Sequence, residues 1–336
     1  MSVDSVQLVF TAFISFAITA LLGFWLIPLL RRLKYGQTIK EVGPTWHKNK
    51  EGTPTMGGLM FIIGLSVSVI IAFFLFNGSN EMDATNNVGI THLFSGLVMA
   101  LAYGLLGFID DYVKVSKKRN LGLTAWQKTA VQILIAAFYL LSIYMGGDRS
   151  TIIIFPFFGQ VDFGLLYYPV MVLGIYTMVN AVNITDGIDG LCSTVTFIVA
   201  IAFLIICGLL GQNNMALLSV ALAGSCVGFL IWNFHPAKVF MGDTGSMFLG
   251  GVIVAIAFGV GMPVLLVFVG IAYIIDILTV LIQMISFKLT GKRVFKMSPI
   301  HHSFEISGYS EVQIVMLFSL IALVGCTVAV LGVHLL

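Results

Sequence analysis

The sequence predicts an all-α, polytopic integral membrane protein of about ten transmembrane helices, organised as one domain over residues 1–336. Three observations predict it. The chain is 59% hydrophobic and only 10% charged, with a mean hydropathy of +1.03, whereas soluble domains carry roughly 25% charged residues. Apolar runs long enough to cross about 30 Å of hydrocarbon recur along its whole length. The basic residues sort onto alternate loops, as the positive-inside rule requires.

The first run, 6–30, is followed rather than preceded by basic residues (Arg31, Arg32, Lys34) and shows no small-residue cleavage site, so it reads as a true helix and not a signal peptide. The second, 56–76, is entered through the turn-rich stretch GTPTMGG. The third, 93–109, ends at the acidic pair Asp110-Asp111, and the fourth is 125–145. Between the fourth and fifth runs, TIIIFPFFGQVDF suggests a short extracellular hairpin within Asp148 to Asp162. The fifth and sixth, 165–183 and 190–210, flank NAVNITDGIDGL; the seventh and eighth, 215–234 and 246–261, flank WNFHPAKVFMGDTGS. The ninth, 264–287, carries Asp276 inside the apolar stretch and leads to MSPIHHSFE, before the tenth at 312–334.

Alternation of these spans places 16 of the 17 basic residues on one side and only Arg149 on the other. That side is expected to be cytoplasmic, with both termini outside. Cys192, Cys207, Cys226 and Cys326 all fall within apolar runs without CxxC spacing, so they read as buried thiols and imply neither disulfide nor zinc. No basic tract suggests a nucleic-acid partner. The bilayer is the expected partner, and a homodimer is an expectation only from its frequency among membrane enzymes.

The chemistry-bearing residues gather on the basic side. Asp110, Asp111, Asp186, Asp189 and Asp243 reach it from three loops, joined by Asn180, Asn183, Asn233, His235, Lys238, His301 and His302. Converging carboxylates beside a low-dielectric slab repel one another unless a cation neutralises them, and all-oxygen ligands suit Mg²⁺ or Mn²⁺. A bound Mg²⁺ is therefore expected. Glycines in TDGIDG and GDTG permit tight turns at helix starts, where free N–H groups favour phosphate. Lys50, Thr53 and Thr55 can donate to phosphate or sugar oxygens, and Phe240 can stack on a flat base. Asp276 reads as a buried hydrogen bond to a neighbouring helix, a local break in the ninth helix, or a proton or ion pathway, with Gln283, two turns on, as a substrate contact.

These motifs, GTPTMGG at 52–58, FIDDYVK at 108–114, NAVNITDGIDGL at 180–191, VFMGDTGS at 239–246 and SPIHH at 298–302, occur in that order across essentially the whole chain. In them the chain resembles the polyprenyl-phosphate N-acetylhexosamine-1-phosphate transferases. The resemblance implies an Mg²⁺-dependent transfer of phospho-N-acetylmuramoyl-pentapeptide from UDP-MurNAc-pentapeptide to undecaprenyl phosphate, giving lipid I and UMP, by cytoplasmic loops of a bacterial inner-membrane protein. It further implies that Asp110 is the base on the lipid phosphate, Asp111 its neighbour and Asp243 the Mg²⁺-binding aspartate. Lys50, Thr55, Asn183, Asp186, Asp189, Asn233, Phe240 and Gln283 match positions that bind nucleotide and diphosphate. His301 and His302, expected to be catalytic with the aspartates, match the start of a motif with three histidines in many relatives, whose third place is Ser303 here. The weakly charged loop around SPIHHSFE favours a muramoyl donor; the alternatives are a UDP-GlcNAc-dependent transferase and a secondary transporter. The sequence leaves open direct attack by the lipid phosphate and a two-step route through Asp110.

Overall fold

The computed structural model describes residues 5–33, 52–77, 84–117 and 122–336, so Lys50 lies outside the described residues. Twelve helices occur among them: α1 (Ser5–Arg32), α2 (Leu59–Asn77), α3 (Ala84–Ser116), α4 (Ala125–Met145), α5 (Tyr167–Thr185), α6 (Leu191–Leu210), α7 (Asn213–Asn233), α8 (Gly242–Gly259), α9 (Leu265–Val269), α10 (Ile271–Thr290), α11 (Ile300–Ile306) and α12 (Glu311–His334). Nine of these are long and apolar enough to span a membrane, and a shorter apolar helix, Leu59–Leu75, stands where the second span is expected. The expected hairpin is present, with strand β1 (Ile152–Phe155) antiparallel to β2 (Gly159–Asp162). All four cysteines are free and buried.

The helix ends differ from the hydropathy boundaries in ways that matter for the site. The third span does not end at the aspartates: α3 continues to Ser116. Lys114 pairs with Asp110 at 2.6 Å (i,i+4) and approaches Asp111 to 3.7 Å (i,i+3), and such pairs support a helix across charges that halt an apolar run. The eighth helix starts at Gly242, so Asp243 sits in its first turn rather than in the loop before it. The ninth span breaks at Gly270, which separates α9 from α10 and puts Asp276 near the start of the second piece.

Helix α8 is the axis of the bundle, buried almost throughout, and its most extensive partner is α3. Small residues make that contact close. Cβ atoms at Gly96 and Gly104 would press on Ala255 and Phe248, and one at Gly251 would press on Ala100. With little hydrophobic drive between helices in lipid, such stripes allow backbones to approach and gain van der Waals contact. The inward face of α1 is also small and polar: Gln7, Thr11, Ser15, Thr19 and Gly23 recur every four residues and are buried. Ser15 donates to the Ala221 carbonyl at 2.7 Å, and Trp232 donates to that of Ala20 at 2.9 Å, tying α1 to α7. Large apolar side chains such as Trp25, Phe74, Phe138 and Met316 point outward, the inverse of a soluble protein and suited to hydrocarbon.

Candidate active site

The site forms where the C-terminal ends of α3 and α5 meet the N-terminal ends of α4 and α8. The segment before α2 completes it. Phe240 N–H donates to the Pro54 carbonyl at 2.8 Å, and Gly57 and Gly58 N–H donate to the carbonyls of Phe240 and Met241 at 2.9 and 3.0 Å. This backbone clamp seats Thr55 beside Gly242. Gly242 has φ +71°, and a Cβ there would strike Asp111 Oδ2 and lie 2.7 Å from Thr55 Oγ1, so only glycine meets both demands.

Three of the five aspartates converge here. Asp110, Asp111 and Asp243 each offer an oxygen within 4.8 Å of the others. Asp111 Oδ2 accepts from Thr244 through both its N–H (2.9 Å) and its hydroxyl (2.7 Å), locking α3 to the first turn of α8. Asp110 Oδ1 accepts from Leu123 N–H at 2.8 Å. Asp243 Oδ1 accepts from Asn183 at 2.9 Å, whose amide also reaches Ser246 at 2.8 Å. The sequence reading passed over two lysines at the centre. Lys114 and Lys128 both donate to Asp243 Oδ2, at 2.9 and 2.8 Å. The i,i+4 spacing of Lys114 from Asp110 was a local signal for the first; nothing local marks Lys128, which comes from α4.

Asp186 follows the end of α5 and is partly exposed as a residue, but its carboxyl is enclosed. Burial, and then the negative charges of Asp243, Asp111 and Asp189, push that carboxyl well above the usual range. Asp189 stands apart from the main cluster. Its Oδ2 accepts from Ala237 N–H at 2.9 Å and lies 3.2 Å from His235 Nδ1, which is also 3.5 Å from Glu311. Of the five acids, Asp110, Asp111 and Asp243 thus form one group, Asp189 joins His235 and Glu311 of α12 in a second, and the Asp186 carboxyl feels charge from both.

Several other predicted contacts are engaged in holding loops. Asn233 accepts from Gly190 N–H at 3.2 Å and donates to the Val239 carbonyl at 3.0 Å. Gln283 accepts from the N–H groups of Val294 and Phe295 and donates to the Phe295 carbonyl at 3.2 Å. Asn180 faces Gln132 of α4 in a two-way amide pair at 3.1 and 3.3 Å. Thr53 and Phe240 are partly buried in the clamp. His301 bonds Asp276 at 2.8 Å, and His302 bonds Glu305 at 2.6 Å.

Asp110, Asp111 and Asp243 form an all-oxygen donor set, which fits a hard divalent cation and is unsuited to a thiolate-seeking metal. Lys114 stands among the three carboxylates, and neutralises them as such a cation would. Lys114→Met is therefore expected to make stability depend on divalent ions: added Mg²⁺ should raise its melting temperature in detergent more than that of the parent. An equal shift in both proteins would show that Lys114 does not stand in for the ion.

Fold and site together define an all-α membrane protein with a lysine-countered acidic centre at one end of its bundle. Residues 93–261 match the family Glycosyl transferase family 4, and residues 50–62 match the phospho-N-acetylmuramoyl-pentapeptide-transferase signature 1. The chain is 43% identical to the phospho-N-acetylmuramoyl-pentapeptide-transferase of Heliobacterium modesticaldum and 45% identical to that of Bacillus pumilus, in each case over 97% of both chains. It is 44% identical to the enzyme of the same name from Clostridium perfringens, over 96% of this chain and 98% of the other. The chain belongs to the phospho-N-acetylmuramoyl-pentapeptide-transferase family, and is a membrane-embedded transferase.

Proposed function

We propose that this chain transfers phospho-N-acetylmuramoyl-pentapeptide from UDP-MurNAc-pentapeptide to undecaprenyl phosphate, forming lipid I and releasing UMP at the cytoplasmic face of a bacterial inner membrane. One observation carries the reading: three helices, α3, α4 and α8, bring Asp110, Asp111, Asp243, Lys114 and Lys128 together at a single end of the bundle. An acceptor with a lipid tail has its phosphate at the membrane boundary, and a UDP-sugar arrives from water, so the two substrates can meet only at such a depth. The sorting of basic residues supports the cytoplasmic orientation.

In the transfer, an oxygen of the lipid phosphate bonds to the sugar-side phosphorus and the bond from that phosphorus to the UMP oxygen breaks. Phosphoryl transfer of this kind needs positioning and charge neutralisation above all. Asp110 is the candidate to take a remaining proton from the lipid phosphate. Asp110, Asp111 and Asp243 would hold the Mg²⁺, which when bound neutralises and orients the diphosphate. Lys114 and Lys128 supply fixed positive charge, with Asn183 orienting Asp243. Asp186, Asp189, Thr53, Thr55 and Phe240 are proposed to bind the nucleotide donor, with Lys50, and Asn180, Asn233 and Gln283 to shape its surroundings.

The test is UMP release by purified protein in detergent with Mg²⁺ and undecaprenyl phosphate. UDP-MurNAc-pentapeptide is expected to be turned over and UDP-GlcNAc not. Turnover of UDP-GlcNAc instead would change the donor and keep the chemistry; turnover of neither would remove the transferase reading.

A further inference from the structure

One hydrogen-bonded aspartate–histidine couple inside the bundle has more polar atoms than its packing uses. Asp276 and His301 are both fully buried, at 0% side-chain exposure, and meet Oδ2 to Nδ1 at 2.8 Å. Their other polar atoms, Asp276 Oδ1 and His301 Nε2, are buried without a hydrogen-bond partner. Leaving buried polar groups unsatisfied is costly, so an apolar pair of the same shape would hold these helices at least as well.

The direction of the imidazole suggests its use. A Cβ placed on Gly187 would collide with His301 Nε2 and come within 3.2 Å of His302 Nε2. Gly187 lies between Asp186 and Asp189, so the His301 ring forms the floor of the turn that carries both acids. The same face of α10 also fixes the start of α11, since Thr279 accepts from Ile300 N–H at 3.1 Å and donates to the Asp276 carbonyl at 2.8 Å. A carboxylate facing Nδ1 holds the proton on that nitrogen and leaves the lone pair on Nε2, toward Gly187. Carboxylates behind metal-bound histidines orient the ring in the same way.

We propose that Asp276 is a positioning residue for the transfer reaction: it fixes the orientation and tautomer of His301, and through that ring it sets the 186–189 turn against the acidic centre. The proposal rests on the transferase reading. It predicts a selective defect, because the turn is assigned to the nucleotide donor and not to the lipid phosphate.

The experiment compares the parent with Asp276→Asn, Asp276→Glu, His301→Gln and the double variant Asp276→Asn/His301→Gln. Three quantities are measured: the KM for UDP-MurNAc-pentapeptide, the KM for undecaprenyl phosphate, and amide hydrogen exchange across residues 184–190 without substrate. Asp276→Asn and His301→Gln are each expected to raise the donor KM about tenfold, leaving that of the lipid phosphate within about twofold. Both should speed exchange in the turn, and the double variant should be no worse than the worse single, as for residues acting in series. Asp276→Glu keeps a carboxylate and is expected to stay within about threefold of the parent donor KM. Additive losses, an equal rise in both KM values, unchanged exchange in the turn, or Glu behaving as Asn would each overturn the proposal. If the parent itself releases no UMP, the transferase reading fails, and the exchange measurements still decide whether Asp276 positions the turn through His301.

Discussion

Replacement of Asp243 by asparagine is expected to lower UMP release by about 10³-fold or more, in a protein that still folds but melts at a lower temperature. Asparagine has the shape of aspartate, but this site uses the charge. Asp243 Oδ2 takes hydrogen bonds from both Lys114 and Lys128, and Oδ1 takes one from Asn183. The amide would leave two lysines without their shared counter-charge, and would remove one of three carboxylates suited to the cation. UMP release at saturating substrates, with a thermal melt of the same preparation, checks the expectation. A folded variant that keeps more than about a tenth of parental activity would show that the centre of reaction lies elsewhere, since loss of a single stabilising group usually costs 10²–10³.

The second large effect is expected at a residue without a functional group. Gly107→Ala should reduce activity by about 10²-fold, the scale associated with a 1 Å displacement of reacting groups, and destabilise by about 1–3 kcal/mol as an overpacked contact. The new Cβ would fall on the backbone carbonyl of Asp243 and lie 2.7 Å from Thr244 N. The start of α8 has no room to withdraw. Asp111 holds it through Thr244, and on another side a Cβ at Gly58 would overlap the backbone of Gly245. Gly174→Ala is the control, because its Cβ would meet nothing within 4 Å in the middle of α5, and there alanine is the better helix former. Activity of Gly107→Ala equal to that of the control would mean that the α3–α8 contact yields freely, and that its closeness does not set the position of Asp243.

Much of this protein is legible from the chain alone. Ten apolar spans, the hairpin and the gathering of GTPTMGG, DD, NITDGIDG and GDTG on one side depend on local hydropathy, charge sorting and turn chemistry, which are properties of short windows. The family likeness follows from the same motifs in order. Helix ends were less legible, because an apolar run stops at its first charge whereas α3 runs on through Asp110 and Asp111 to a lysine that pairs with them. The partners of the acids were not legible at all. Tertiary structure decided that Lys128 meets Asp243 from 115 residues away, that Thr244 meets Asp111 across 133, and that Asp189 turns instead to His235 and Glu311. It also decided that Asp276, an intramembrane charge by sequence, is the partner of His301. These pairings depend on how closely helices approach at small residues and on the rotation each adopts about its axis. Both are settled by packing between segments far apart in the chain, and no window of sequence carries that information.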